Sequence, residues 1–340
     1  MCPDRLGGVL EAVWPEQRGS PSVNVFIEPS GQIQVTSTHE QLFSRDDPYK
    51  QVGALFPQSS VPHGALRGAC ISIGKQLYAK GVFGYIGVDF VTFFDGYAGS
   101  QRVCAVDLNI GITPTAASFA LFNFVMGGRY NSRTGKYVVD TTALVPSVAV
   151  ESSGGALKPR LEERCYVTQP YLYHPNLGML QYSAFFNLCR IKKWVVCFSV
   201  ALSSSLCRCS IFVSMSLSLS FSLARSLALA LAHCLSRSLS FCPPFSDPSH
   251  ATPQHDSVAF DLQKRVGTAF LLCDTIASGI IGTLAVGDGV VDALEQMQHA
   301  MEFIQDEVGA HSMKGEFDED ISNFAGFKAC VKGLLKRHRG

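Results

Sequence analysis

Gly84-Tyr-Ile-Gly-Val-Asp-Phe-Val-Thr-Phe-Phe94, then Asp95-Gly-Tyr-Ala-Gly-Ser100, then Arg102-Val-Cys-Ala-Val-Asp-Leu-Asn109, sets the architecture of this 340-residue chain. The outer two runs are rich in β-branched and aromatic residues, the types that fit a pleated, half-buried surface. The Gly-containing segment between them is a turn. The spacing therefore predicts an antiparallel hairpin over 84–109, with a loop longer than the two-residue ideal. Side chains alternate across a strand, which puts Asp107 and Asn109 on one face. Folding about 97–98 brings Asp89 almost opposite Asp107. Two carboxylates and an amide oxygen converge there, with Phe, Val and Ile on the other face. Hard cations such as Mg²⁺ take oxygen ligands of this kind and leave the rest of the shell to phosphate or water. The same spacing also describes the solvated side of an ordinary amphipathic hairpin.

Upstream, Val23-Asn-Val-Phe-Ile27 reads as a strand, Glu28-Pro-Ser-Gly31 as a turn and Gln32-Ile-Gln-Val-Thr36 as the returning strand. Leu66, Cys70, Ile73 and Leu77 recur at spacings of three and four, one face of a helix that Gly81 stops. Downstream, residues 115–126 form an apolar run read as a helix ended by Gly127-Gly128. Residues 129–190 mix polar loops with apolar stretches and carry less signal. Beyond 258, Ile280–Val286 reads as a strand or buried run. Leu294, Met297, Met301, Ile304 and Val308 form the apolar face of an amphipathic helix. A last helix covers roughly 322–337.

The tract from about 195 to 242 differs in kind. Ser-Leu-Ser-Leu-Ser-Phe-Ser-Leu (216–223) and Ser-Leu-Ala-Leu-Ala-Leu-Ala (226–232) alternate almost perfectly, and no acidic residue occurs between Val195 and Cys242. A globular strand rarely exceeds about ten residues. A membrane span needs about twenty apolar residues, and here Ser or Ala fills nearly every second position and Arg225 interrupts. A TC dinucleotide repeat is translated as alternating Ser and Leu, so the favoured reading is repeat DNA carried in a retained intron, with the tract disordered.

Formal charge is zero, so no global field draws the chain to nucleic acid or an anionic surface. The cluster Lys332, Lys336, Arg337, His338, Arg339 suits a dipole-matched helix end better than a binding patch. The twelve cysteines form no CxxC, which argues against a zinc knuckle or a thioredoxin-like site. Those outside the tract, such as Cys70, Cys104, Cys189 and Cys273, read as small buried hydrophobes of a reducing compartment. Met1–Arg18 has no continuous apolar core, so a cytoplasmic location is expected. Gly287-Asp-Gly289-Val-Val-Asp292 has the outline of a dinucleotide fingerprint, but Asp292 stands where the third Gly belongs and no βαβ unit surrounds it. A strand–turn–helix with Asp288 near the N-cap is the better account. Thr38-His39-Glu40-Gln41 reads as capping the turn after a strand. No GxSxG, HExxH or P-loop is present.

Gly84–Val91 followed by Ala105-Val-Asp-Leu-Asn109 resembles the closing hairpin of the ATP-grasp fold, in which a strand with a polar ligand precedes one bearing an acidic-x-Asn motif. The resemblance implies Mg²⁺ and ATP as cofactors, with Asp107 and Asn109 matching that motif and Asp89 the earlier strand position. Val23–Leu42, Phe56-Pro-Gln-Ser-Ser-Val-Pro62 and His174-Pro-Asn-Leu-Gly-Met-Leu-Gln-Tyr182 resemble the ATP-grasp-like C-terminal region of the IQ motif-containing protein H family. The likeness covers roughly 8–190, skips the Ser-Leu tract, and resumes at 258–340. Two departures stand out. ATP-grasp ligases commonly carry an Arg just after the acidic-x-Asn motif, where this chain has Ile110-Gly111-Ile112-Thr113. The Lys residues and Gly-rich loop that clamp the nucleotide belong to an earlier subdomain, expected to lie outside this chain.

An α+β fold follows: an antiparallel sheet from 23–36 and 84–109, packed with helices near 65–80, 115–126 and 290–308. Domains are expected at 1–190, an insert at 191–257, and a helical continuation at 258–340. A non-catalytic interaction module with an unknown protein partner is the first functional expectation. The alternative is a Mg-ATP-binding carboxylate–amine ligase-like domain, and the next a membrane-associated protein through 195–232. Catalytic residues are not assigned. Ile33-Gln34 lacks the basic continuation of an IQ motif, so calmodulin is not an expected partner; neither is nucleic acid.

Overall fold

The computed structural model describes residues 17–45, 47, 49–141, 160–179, 195–197, 260, 264–271, 278–310 and 322–339. The expected hairpin is formed by β5 (Gly84–Asp95) and β6 (Ser100–Ile110). Asp95 Oδ1 accepts from the N–H groups of Tyr97 and Ala98 at 3.0 and 3.2 Å, and Gly99 takes φ +59°, so the loop closes on its own residues. The first hairpin pairs β2 (Pro21–Ile27) with β3 (Ile33–Phe43), and Ile27 faces Ile33 across the turn.

These strands belong to a ten-stranded sheet with β1 (Gln17–Gly19), β4 (Gln51–Phe56), β10 (Cys165–Tyr173), β11 (Val195–Cys197), β12 (Gly267–Leu271) and β13 (Ile280–Gly287). Across it the order is β6, β5, then β2 with β1, then β3, β4, β10, β13, β12, β11. Every pairing is antiparallel except β11 with β12. A separate three-stranded sheet holds β7 (Arg129–Asn131), β8 (Lys136–Asp140) and β9 (Leu161–Glu163).

Alternation along the strands sorts the faces. Val23, Val25, Ile27, Ile86, Val88 and Phe90 pack against Leu66 and Cys70 of α1 (His63–Ala79). Farther along the same face Leu42, Leu55, Val167 and Phe270 pack under α3 (Val290–Ala310) and α4 (Phe324–Arg339). On the opposite face Phe56, Tyr166, Leu284 and Val286 meet Phe119, Phe122 and Met126 of α2 (Pro114–Met126). Each such side chain contributes about 1.5–3 kcal/mol of burial.

The helix boundaries follow local chemistry. At the end of α1, Gly81 (φ +82°) donates to Tyr78 O and Val82 donates to Leu77 O, at 2.9 and 3.0 Å. This Schellman closure is the stop expected from Gly81. Thr113 Oγ1 caps α2 by accepting from Ala116 N at 3.0 Å, and Pro114 takes the first position, where a missing N–H costs nothing. Gly127 (φ +56°) ends α2 by donating to Asn123 O. Leu294, Met297, Met301 and Ile304 form the buried face of α3; the Val308 side chain lies outside the described residues.

Three expectations are corrected. Thr38–Gln41 does not cap a turn, because β3 runs on through Phe43. Its polar residues tolerate mid-strand positions because His39 Nε2 meets Tyr166 Oη at 2.6 Å and Glu40 accepts from Ser20 N and Ser60 Oγ at 2.7 and 2.6 Å. Asp288 does not cap α3. Instead Asp292 Oδ2 accepts from Asp288 N at 3.0 Å, and the Asp288 carboxylate pairs with the buried Arg164 at 3.0 Å. Cys104 is half-buried, since β6 is the outermost strand on its side of the sheet, whereas Cys70 is buried in the core. Cys189, Cys273 and residues 198–257 lie outside the described residues. Among those described, no helix is long and apolar enough to cross a membrane.

Candidate cation site on the β5–β6 hairpin

The polar face near α2 is built from the pairing register. Asp89 lies directly opposite Asp107 on β6 and opposite Ser22 on β2, and Asn109 lies opposite Gly87. A bulge follows: Phe90 pairs Ala105, so Val106 is the extra residue on β6. The structure thus brings together all three residues singled out by spacing. Asn109 Nδ2 donates to Asp89 Oδ2 at 3.1 Å and to Asp107 Oδ2 at 3.0 Å. Carboxylates only accept, so the amide must present its NH₂ to them. The partial positive end of Asn109 lies between two facing negative groups.

The two carboxylates differ in setting. Asp89 is half-buried on an inner strand. Burial pushes its carboxyl above the usual range and the Asp107 charge adds to that, while hydrogen bonds from Ser22, Gln41 and Asn109 pull it back. Asp107 is exposed on the outer strand, with Oδ1 accepting from the N–H of Leu108 at 2.9 Å. On the other face Ile86, Val88 and Phe90 are buried as expected, whereas Val106, Leu108 and Ile110 remain exposed because α1 does not reach over β6.

The first turn of α2 is tied to this face. Thr113 Oγ1 donates to Asn24 Oδ1 at 2.6 Å, and Asn24 Nδ2 donates to Ser37 Oγ and Thr115 Oγ1 at 3.0 and 3.1 Å. Gly87 permits the approach: a Cβ there would stand 2.4 Å from Thr113 Cγ2 and 3.5 Å from Asn109 Cβ. Beyond Thr115 lies a cavity of about 120 Å³, with Gln51, Ser118, Thr168, Gln169 and Asn323 among its lining residues. No charged side chain lines it. It admits a few waters, well short of the volume an organic cofactor needs.

The donor set suits a hard divalent cation: two carboxylates and one amide, with an open side left for other oxygens. Among the described residues, no group of three or more His, Cys, Asp or Glu is arranged to hold a metal, so the amide is a necessary part of any such site.

Residues 2–133 match a family model described as IQCH-like, ATP-grasp. Residues 2–133 are thus similar to an IQCH-like ATP-grasp region. The hairpin, its three converging side chains and the α2 cap all lie inside the matched residues. Over 185 residues, 54% of this chain, it is 29% identical to IQ motif-containing protein H of Danio rerio, and it spans 16% of that relative's length. Among solved structures it is similar to pyruvate carboxylase from Rhizobium etli (10% identity, TM-score 0.42, covering 95% of this chain and 24% of that one). Another is the biotin carboxylase domain of 2-oxoglutarate carboxylase from Hydrogenobacter thermophilus, solved with MgADP (9% identity, TM-score 0.36, covering 84% and 45%). The fold is α+β, and its ATP-grasp likeness rests on the match over residues 2–133.

Spacing alone missed the neighbours of Asp89 on the inner strands, Ser22 opposite it and Gln41 near it. A signal for Ser22 was available: Pro21-Ser-Val-Asn-Val-Phe-Ile27 alternates polar and apolar, and Ser22 and Asn24 fall on one face. Gln41 had none, because its nearness to Asp89 depends on the sheet order β5, β2, β3.

Proposed function

We propose that the ATP-grasp-like region is a non-catalytic module that takes up a divalent cation, and through it nucleotide phosphate, on Asp89, Asp107 and Asn109. The observation carrying this is the Asn109 NH₂ group held between two facing carboxylates, a place that a small cation suits better than an amide. When bound, Mg²⁺ would neutralise both carboxylates and offer its remaining positions to phosphate oxygens. The chain's own residues set the geometry. Ser22 lies directly opposite Asp89 on β2, the bulge at Val106 aims Asp107, and the Thr113–Asn24 bond fixes the strand end beyond Asn109.

Ligase chemistry is not part of this proposal. Where ligases of the resembled fold place an Arg against a phosphorylated intermediate, Ile110 is 69% exposed and Gly111 adopts φ +135°. Neither supplies a cation. Among the described residues Cys70, Cys104, Cys165 and Cys330 are free thiols, as a reducing setting would leave them. The test is equilibrium binding of ATP to the full chain with and without Mg²⁺, together with ADP release. Binding that needs Mg²⁺, is lost in Asp107→Ala and yields no ADP is the expected outcome. Mg²⁺-independent binding, or steady ADP release, would contradict it.

A further inference from the structure

We infer that Ser132 is a phosphorylation site, read by a serine kinase that selects an arginine three positions before the hydroxyl, and that the phosphate docks against the start of α1. Arg129-Tyr-Asn-Ser132 has that spacing, and the fold presents it in an extended form. β7 (Arg129–Asn131) is an outer strand of the three-stranded sheet, so one of its edges is unpaired. Along an extended strand, three residues set Arg129 about 10 Å from Ser132. One acidic subsite can then hold the guanidinium while the hydroxyl meets ATP. Arg129 is exposed, as are Arg133 and Thr134 in the turn that follows, and neither arginine is ion-paired among the described residues. Ser132 is half-buried, and its hydroxyl has no hydrogen-bond partner among the described residues. Thr268 also lies three positions after an arginine, Arg265, but it is fully buried. The transfer joins Ser132 Oγ to the γ-phosphorus of ATP, breaks the bond from that phosphorus to the β–γ bridging oxygen, and releases ADP. The hydroxyl proton passes to the kinase's catalytic carboxylate.

The turn gives a phosphate on Ser132 groups to meet. Asn131 Oδ1 accepts from Arg133 N at 2.9 Å, and Gly135 N donates to Asn131 O at 2.8 Å, so residues 131–135 close on themselves. The turn sits on the first residue of α1. The Ser132 carbonyl accepts from His63 Nε2 at 2.9 Å, and a Cβ on Gly135 would stand 2.5 Å from His63 Nδ1, which is enclosed without a partner. α1 also begins with its positive end uncompensated: Pro62 at the N-cap supplies no side-chain acceptor, and no acidic residue lies in the first turn. α2 and α3 differ, since Thr113 caps the one and Asp292 lies in the first turn of the other. Arg67 follows His63 by one helical turn, which puts it on the same face of α1, and it has no ion pair among the described residues. A phosphoserine carries about −1.5 to −2 charges at pH 7. At Ser132 that charge enters beside His63, Arg133 and a helix N-terminus, with Arg67 one turn along. Charge-assisted hydrogen bonds to these groups fasten the β7–β8 turn to α1.

The experiment incubates the full chain with Mg-ATP and a purified serine kinase of that selectivity, and locates the phosphate by peptide mass spectrometry. Wild-type protein should be phosphorylated on Ser132, and the same peptide of Ser132→Ala should stay unmodified. Arg129→Ala should react at least about tenfold more slowly, the loss expected for one charge-assisted contact. Arg129→Gln serves the same end should the alanine variant fail to fold. The phosphorylated chain should unfold about 2–4 °C above the unmodified one, with the imidazole resonances of His63 shifted. Ser132→Ala treated with the kinase controls for phosphate elsewhere. Phosphate confined to other positions, such as Ser240 behind Arg237, would overturn the site. Equal rates for wild type and Arg129→Ala would overturn the part assigned to Arg129. An unfolding midpoint no higher than that of the unmodified chain, or His63 resonances that do not move, would overturn the docking on α1 and leave the site standing.

Discussion

Replacing His39 with Gln should flatten the loss of stability that this fold suffers on acidification. His39 is wholly buried among Phe56, Phe119 and Tyr166, with ring centroids 5.6, 6.4 and 5.7 Å away. Its Nε2 meets Tyr166 Oη at 2.6 Å, and Nδ1 has no partner. An imidazolium donates from both nitrogens, so protonation would bury an unpartnered N–H as well as a charge. Burial accordingly pushes the His39 pKa down from 6.5 to about 3. In the unfolded chain the ring titrates near its ordinary value, so between pH 6.5 and 3 the unfolded state binds the extra proton. The stability held by neutral His39 is fully present above about pH 6.5 and is lost as pH falls toward 3. At about 1.4 kcal/mol per pH unit the whole window is worth up to about 5 kcal/mol, and the stretch from pH 6.5 to 4.5 about 2–3 kcal/mol. Against a typical total of about 5–15 kcal/mol, that is a large share. Urea unfolding of wild type and His39→Gln, followed by circular dichroism from pH 7.5 to 4.5, measures it. Carboxylates titrate in both proteins and cancel in the difference. The two stability curves should converge on acidification by about 2–3 kcal/mol. Parallel curves would refute the account.

Gly87→Ala should destabilise the fold by about 1–3 kcal/mol, because the new methyl stands 2.4 Å from Thr113 Cγ2 and must displace the α2 cap. Denaturant unfolding checks this, and a neutral effect would mean the cap is free to shift. A chain lacking 191–257 should retain cooperative unfolding and its near-ultraviolet spectrum, since among the described residues that stretch gives the sheet just Val195–Cys197 at one edge. Loss of both signals would show that the tract is needed by the fold.

Much of this architecture is legible in the chain because local and long-range cues agree. The approach of Asp89 to Asp107 is legible from the loop position and a period of two, and the bulge completes it: the register set at Asp95–Ser100 would put Val106 opposite Asp89, and the extra residue moves Asp107 into that place. The helix ends at Gly81 and Gly127 are legible for the same reason: only a residue tolerating positive φ can close them. What the sequence hides is hidden for physical reasons. β10 reads poorly because Pro170 interrupts it, and its register with β13 shifts between Gln169 and Leu172 at that point. β7 and β9 are three-residue strands without apolar alternation, placed by β8 between them. His39 looks like turn chemistry, and its burial is decided by Tyr166, 127 positions away. Gln41 comes near Asp89 through strand order alone. The site's two carboxylates were within reach of spacing, and their supports were not.

The cation site itself is most directly tested by paramagnetic broadening of backbone amide resonances when Mn²⁺ is added at substoichiometric levels to the isotopically labelled full chain. The account predicts that the amides of Gly87, Asp89, Asp107 and Asn109 broaden first and together, and that Asp107→Ala abolishes the effect. Broadening centred elsewhere, for example on the acidic run at 316–320, with the hairpin amides untouched, would contradict it.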